Sequence, residues 1–323
     1  MGDQVAVRNM RTTSFFDDNR SQRHARSSIP PRLTAFTFRV SELVDPVQEH
    51  LMSTQAEKGT LFHTLHQRRH AFIMPNPWDT GTTRLLQLLG FEALATTSAG
   101  FAFSIGKPDG AVDRETMLAH AAALVAATDL PVSADLENGY GDDPAQVAET
   151  VRLAAETGVA GCSIEDVAPR RDPTPYELSL ATERVRAAAD VAKSLPFPFT
   201  LTARAENFIV GRPDLRDTIT RLQGYQEAGA DVLFAPGLKT SQDILTVVCS
   251  LDRPLNVIMG LEGVQLSLAE LSDMGVKRVS VGSALSRAAL GAFLRAVGEM
   301  RDHGTFTFAA EAVKYQDLNA MFA

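Results

Sequence analysis

Asp135 and Glu137 stand two residues apart where a short apolar run gives way to Asn138-Gly139-Tyr140-Gly141. Two residues is the repeat at which side chains of a strand share a face, so both carboxylates are expected to point the same way. Asp109 and Glu165 follow neighbouring runs of the same kind. Three or four carboxylates gathered in one place cannot all stay ionised without a cation. Oxygen donors with no His or Cys pair beside them favour a hard ion, Mg2+ or Mn2+, over Zn2+. Arg204, which closes a later run, offers a planar fork suited to a substrate carboxylate or phosphate. Taken singly, each acid also reads as a helix cap or a solvated loop charge. Their recurrence at successive run ends favours a shared site.

These residues need elements that bring the run ends together. Eight short apolar, β-branched runs appear, at residues 71–75, 93–97, 131–136, 160–165, 199–203, 231–234, 255–259 and 278–281. Each is short enough to be a strand buried on both faces. Helical patterns lie between them. Leu215, Ile219 and Leu222 recur at helical spacing, and Asp143-Pro144 pairs an N-cap with a first-turn proline. Gly90, Gly158, Gly229 and Gly275 each end a helical segment shortly before a strand, where a left-handed stop favours glycine. The repeated unit predicts an α/β fold, a (β/α)8 TIM-type barrel with its chemistry at the C-terminal strand ends. The alternative, an open doubly wound sheet, usually carries a Gly-rich turn after its first strand. Here that turn reads Pro75-Asn76-Pro77-Trp78-Asp79.

Other reactive types read as structural. His63, His66 and His70 are expected on the surface of the helix before the first strand, and His24, His50, His120 and His303 fall at no strand end. Lys239 lies beyond a Pro-Gly turn and reads as a solvated loop lysine rather than a Schiff-base nucleophile. Cys162 and Cys249 sit in apolar runs, match no zinc spacing and are expected as buried free thiols, which fits a reducing cytoplasm. The segment 308–322 alternates at helical spacing, so a C-terminal helix is expected, packed on a neighbouring subunit or on its own barrel.

The chain has 323 residues, 45% apolar and 22% charged, with a net charge of −8. That apolar content excludes a wholly disordered chain, and the acidic balance disfavours nucleic acid as a partner. No apolar stretch is long enough for a membrane span. Residues 1–51 carry a balance of +1 with seven Arg and no Lys, whereas 52–323 carry −9. The division expected is therefore a disordered or atypical extension over 1–51 and a catalytic barrel over 52–323. A targeting segment and a start at Met52 are alternative readings of the leader.

Four stretches together resemble the isocitrate lyase/phosphoenolpyruvate mutase superfamily. They are Thr97-Ser98-Ala99-Gly100 with Gly106-Lys107-Pro108-Asp109, Asp135-Leu136-Glu137-Asn138-Gly139-Tyr140-Gly141, Ile164-Glu165-Asp166, and Ala203-Arg204-Ala205-Glu206. The resemblance implies a Mg2+ ion at the barrel mouth with Asp135 as its direct ligand, and Asp109, Glu137 and Glu165 acting through bound waters. It implies a substrate carboxylate at Thr97, Ser98 and Ala99, with Arg204 steadying developing charge. It also implies a small 2-oxo acid substrate, an enolate-forming reaction and a homotetramer with exchanged C-terminal helices.

The departures bear on which reaction. The loop after the fourth strand, Val167-Ala168-Pro169-Arg170-Arg171-Asp172-Pro173, lacks the Lys-Cys-Gly-His motif that supplies the general acid in isocitrate and methylisocitrate lyases. Thr96 stands where such lyases place a Tyr, no counterpart of the mutase gating-loop Asn is evident, and Ala235-Pro236 replaces a polar residue after the sixth strand. The expected function is a Mg2+-dependent lyase acting on an oxaloacetate-like 2-oxo acid by C–C cleavage through a metal-stabilised enolate. Asp109 or Glu137 is then the candidate base. The alternatives are P–C chemistry, as a phosphoenolpyruvate mutase or phosphonopyruvate hydrolase, and a barrel that binds a 2-oxo acid without turning it over.

Overall fold

The structure, a computed structural model, describes residues 53–168 and 173–323. The expected 1–51 leader lies outside the described residues, as does the Pro169–Asp172 part of the loop after the fourth strand. Eight parallel strands appear where the apolar runs predict them: β1 Phe72–Met74, β2 Leu94–Ala95, β3 Val132–Asp135, β4 Gly161–Glu165, β5 Thr200–Arg204, β6 Val232–Phe234, β7 Leu255–Ile258 and β8 Arg278–Ser280. Their order around the sheet is β1-β8-β7-β6-β5-β4-β3-β2. This is a nearly closed (β/α)8 barrel. The open-sheet alternative fails because β1 and β8, the first and last strands, pair in parallel along Phe72–Met74.

α1 (Gln55–Gln67) precedes the first strand. α2 (Thr80–Leu88), α3 (Ser98–Ser104), α4 (Arg114–Ala126), α5 (Pro144–Glu156), α6 (Leu178–Ser194), α7 (Leu215–Ala228), α8 (Ser241–Cys249), α9 (Leu268–Asp273) and α10 (Ala284–His303) alternate with the strands. Local chemistry sets their ends. Asp143 caps α5 ahead of Pro144, and its side chain accepts from the Ala145 amide at 2.7 Å. The four helix-stop glycines all take left-handed backbone, with φ of 81°, 92°, 111° and 93° at Gly90, Gly158, Gly229 and Gly275.

Strand parity divides the sheet into two faces. Cys162, Ile164, Leu201, Ala203, Leu233, Leu255, Val257 and Val279 are buried in the apolar layer between barrel and helices. The alternate residues face the lumen, and register aligns them: Asp135 opposite Ser163, Glu165 opposite Arg204, and Arg204 opposite Phe234. α1 packs Phe62 and Leu65 with Phe72 and Ala160, while Lys58 Nζ donates to the Thr128 carbonyl at 2.8 Å. His66 is buried on this helix, not on the surface, because it shares the apolar face of Phe62 and Leu65. Cys162 is buried, but Cys249 is exposed, since the last turn of α8 leaves the apolar layer. Lys239 is exposed as expected. A C-terminal helix, α11 (Tyr315–Phe322), follows and packs on α2, with Arg84 Nη2 donating to the Phe322 carbonyl at 3.1 Å. Among the described residues no helix is long and apolar enough to cross a membrane.

Closure between β1 and β2 rests on little backbone. The Ala95 amide donates to the Pro75 carbonyl at 3.1 Å, and the two-residue β2 allows no longer ladder. Asn76 supplies the rest. Its Oδ1 accepts from the Val281 and Gly282 amides, and its Nδ2 donates to the Thr96 carbonyl, each at 2.9 Å. One buried amide thus ties the ends of β8 and β2 together. Replacing it with Ala would leave one buried and two half-buried backbone groups without this partner. Asn76→Ala is expected to lower unfolding free energy by about 2–4 kcal/mol in urea titrations.

Candidate functional site

The strand ends converge on Arg204. Its Nη1 donates to Asp135 Oδ1 at 2.9 Å, its Nη2 lies 3.2 Å from Glu165 Oε2, and its Nε donates to Glu206 Oε1 at 2.9 Å. One guanidinium at the end of β5 therefore touches carboxylates from β3, from β4 and from the turn after its own strand. Each edge of the fork carries an acid of the chain, so a substrate group meets Arg204 beside those partners. Glu206 was the residue without an assigned role in the sequence. Its signal was its position two residues after Arg204.

Asp135 is held from the other side by the Ser98 amide, which donates to Oδ2 at 3.0 Å. Its own amide donates to Thr96 Oγ1 at 2.8 Å, which gives the residue standing in place of the lyase Tyr a structural task. Thr97 caps α3, its hydroxyl accepting from the Gly100 amide at 3.2 Å. Thr97, Ser98, Ala99, Asp109, Asp135 and Arg204 all line one cavity of about 240 Å³ at the mouth. An adjoining cavity brings Glu137 and Glu165 against Ser98, Asp109, Arg204 and Glu206. The predicted site residues are thus gathered, although the parity argument does not place Glu137. Strand β3 ends at Asp135, and Glu137 lies beyond it with φ of +49°. A left-handed turn, rather than strand alternation, aims its side chain.

That turn is braced. Glu137 and Tyr140 are the two non-glycine residues with left-handed backbone among the described residues. Such conformations persist only where the surroundings over-determine them. Arg184, buried behind the turn, donates to the carbonyls of Asn138, Gly141 and Asp142. Thr150 Oγ1 donates to the Gly139 carbonyl at 2.7 Å, and the Glu165 amide to the Glu137 carbonyl at 2.9 Å. Glu206 has a similar support. Asp166 accepts from the Glu206 amide at 2.9 Å through Oδ1, and from Tyr225 (2.6 Å) and Arg221 (3.2 Å) through Oδ2.

The electrostatics show surplus negative charge. Burial first, then the charges of Asp135 and Asp109, push the Glu137 carboxyl up to about 7. Burial and the Asp135 charge also raise Asp109. Burial raises Glu165 and Glu206 against the opposing pull of Arg204. Glu137 Oε1 is buried with no hydrogen-bond partner. Among the described residues, no three carboxylate, His or Cys groups stand close enough to enclose an ion by themselves. The donors therefore fit a hard dication bound through one carboxylate with other acids nearby, the manner in which Mg2+ retains water. They do not fit Zn2+, which takes several protein ligands.

Comparison with known proteins places the chain. The family model for phosphoenolpyruvate phosphomutase matches residues 62–301. A Burkholderia cenocepacia protein, whose crystal structure is named as that of a lyase or mutase, is 61% identical with a TM-score of 0.81, covering 83% of this chain and 96% of that one. The crystal structure of a 2,3-dimethylmalate lyase, a PEP mutase/isocitrate lyase superfamily member, is 26% identical with a TM-score of 0.74, covering 84% and 95%. Oxaloacetate acetylhydrolase in complex with oxalate is 25% identical with a TM-score of 0.73, covering 83% and 94%.

The raised carboxyl of Glu137 has a measurable sign. With its folded-state pKa near 7 against 4.5 for the free group, Glu137 holds a proton in the fold that the unfolded chain has released. Wild-type stability is therefore expected to decline as pH rises from about 4.5 through about 7. Glu137→Gln should abolish that part of the decline. At pH 8, urea unfolding in chelator should find the variant more stable by about 1–3 kcal/mol.

Proposed function

Because the chain belongs to the phosphoenolpyruvate mutase/isocitrate lyase superfamily of lyases and mutases, we propose that it is a Mg2+-dependent lyase cleaving a C–C bond of a small oxaloacetate-like 2-oxo acid. The observation that carries this reading is the crowding of Asp109, Asp135, Glu137, Glu165 and Glu206 around the guanidinium of Arg204. Asp135 is the residue that would hold the ion, with Asp109, Glu137 and Glu165 as its outer acids. Bound there, the dication would supply the positive charge that a chelating 2-oxo carboxylate and a developing enolate oxygen require.

The chain's own groups do the rest. The turn of Thr97, Ser98 and Ala99 lines the cavity and offers backbone and hydroxyl donors to the substrate carboxylate. Arg204 lies beside the reacting end, where fixed positive charge in a water-poor mouth lowers the cost of negative charge on oxygen. In decarboxylation of oxaloacetate the C3–C4 bond breaks, its electron pair forms the pyruvate enolate, and CO2 leaves. The enolate carbon then takes a proton. Glu137 and Asp109, which line the adjoining cavity, are the candidates to deliver it. The match to the phosphomutase family favours P–C chemistry as the second reading.

We also infer that the chain assembles with copies of itself. α10 is a 20-residue helix with one buried residue, Ser286, and it exposes Leu285, Leu290, Phe293, Leu294 and Met300. An apolar set of that size on one helix marks a protein–protein surface. Light scattering should report an oligomer, a tetramer in this reading, and a Phe293→Glu/Leu294→Glu double variant should run smaller. A wild-type monomer would overturn it.

Activity is tested by pyruvate release from oxaloacetate. Mg2+ should raise the rate, and Asp135→Ala should lower it by about 10²-fold or more. A wild-type rate equal to that of the uncatalysed solution overturns the lyase reading. New 31P signals from phosphonopyruvate would instead establish P–C cleavage.

A further inference from the structure

The lumen beneath the mouth is polar where such barrels are usually filled by branched apolar side chains. Ser133, Ser163, Asn256, Arg278 and Ser280 line the same cavity as Asp135 and Arg204. Arg278 is 2% exposed and stands in the inward register of β8. Its Nε donates to Asn256 Oδ1 and its Nη2 to Thr202 Oγ1, each at 2.9 Å. Its Nη1 lies 3.3 Å from His66 Nε2. His66 Nδ1 is 2.8 Å from the Phe62 carbonyl, which places the ring proton there and leaves Nε2 to accept from the guanidinium. Burial and the Arg278 charge hold that imidazole near 3, so it is neutral.

All three partners of Arg278 are therefore uncharged, and its acidity responds to burial alone, which pushes it down to about 9. The other buried arginines differ. Arg204 meets three carboxylates, Arg221 meets Asp166 and Asp217, and Arg184, though it donates to carbonyls, feels the charges of Asp142 and Asp166. A guanidinium taken out of water without a counter-charge is strongly disfavoured unless an anion supplies one. Arg278 retains N–H groups beyond the three so engaged. Ser280 accepts from Asn256 Nδ2 at 3.0 Å, which leaves its own hydroxyl hydrogen to donate. Depth also matches a small molecule. Thr202, the partner of Arg278, precedes Arg204 by two residues on β5, a rise of about 6.6 Å.

We propose that Arg278, with Asn256 and Ser280, is the subsite for the far carboxylate of a short dicarboxylic 2-oxo or 2-hydroxy acid whose other end is held at the mouth. This rests on the functional reading above and assigns the residues that select a second carboxylate on its substrate. A monocarboxylate of equal length leaves the guanidinium uncompensated and puts a methyl group against it. Arg278 is accordingly a specificity-determining residue for that far carboxylate.

The test uses two stable acids that differ only at the far end, malate and 2-hydroxybutyrate, with binding measured by calorimetry on the full chain in Mg2+. Wild type should bind malate at least about tenfold more tightly than 2-hydroxybutyrate. Arg278→Met should erase that preference and leave 2-hydroxybutyrate affinity within about twofold. If Arg278→Met does not fold, Asn256→Asp answers the same question. It keeps the side-chain shape, gives the guanidinium an internal carboxylate, and should likewise erase the preference. Equal wild-type affinities, or a preference intact in the variants, overturn the subsite alone. Failure of wild type to bind either acid overturns the reading of the mouth and the subsite with it.

Discussion

Among the described residues, Arg204 is the one guanidinium touching three carboxylates, a group too dense to remain charged unaided, and much of the site is arranged around that imbalance. Asp135, Glu165 and Glu206 take its three edges, while Asp109 and Glu137 add charge nearby without a direct pair. In the partly dry mouth of a barrel, like charges at this spacing raise one another's proton affinity. The upward shifts of Glu137, Glu165, Glu206 and Asp109 all express that one constraint. A divalent cation relieves it, and so does a proton. The site is suited to chemistry in which negative charge appears on a substrate oxygen, because counter-charge is already needed there.

Holding such a cluster requires rigid support, and the support lies behind the acids. Asp166 points away from the lumen, gathers Tyr225 and Arg221, and fixes the backbone of Glu206. Arg184 gathers three carbonyls behind the left-handed turn that carries Glu137. Both arginines come from helices, α6 and α7, so packing of helices on the outer face of the sheet sets side-chain positions on its inner face. A change in the outer layer is thereby coupled to the mouth.

The lumen has two charged levels. The upper one is net acidic around Arg204, and the lower one is a buried cation, Arg278, among neutral partners. The departures from the lyase pattern concern residues around these levels rather than the acids themselves. Thr96 supports Asp135, and Pro236 contributes an apolar wall to the cavity. In the proposed reaction the upper level would meet the developing enolate, and choice of substrate would fall to what lines the remainder of the cavity.

Much of this was legible in the residues. Eight apolar runs, helix-stop glycines at regular places and acids at successive run ends identify a barrel and its mouth, because burial, left-handed stops and charge each leave a local mark in sequence. Asp109, Asp135, Glu165 and Arg204 could be named for that reason. Glu137 was named on an argument of strand parity that does not apply, since its aim comes from a left-handed turn stabilised by Arg184 and Thr150, distant in the chain. His66 and Cys249 changed places between surface and interior, because which face of a helix is covered depends on what packs against it. Asn76 and Arg278 carried no motif, and Glu206 stood within one without a role of its own. An asparagine in a turn and a charge inside a strand acquire meaning only from partners 20 to 212 residues away, and an acid two residues after an arginine only from the lumen it faces. Local pattern thus determined the fold and the type of site. Only tertiary structure decided which charges are paired, and it left Arg278 in the lumen with partners that carry no charge.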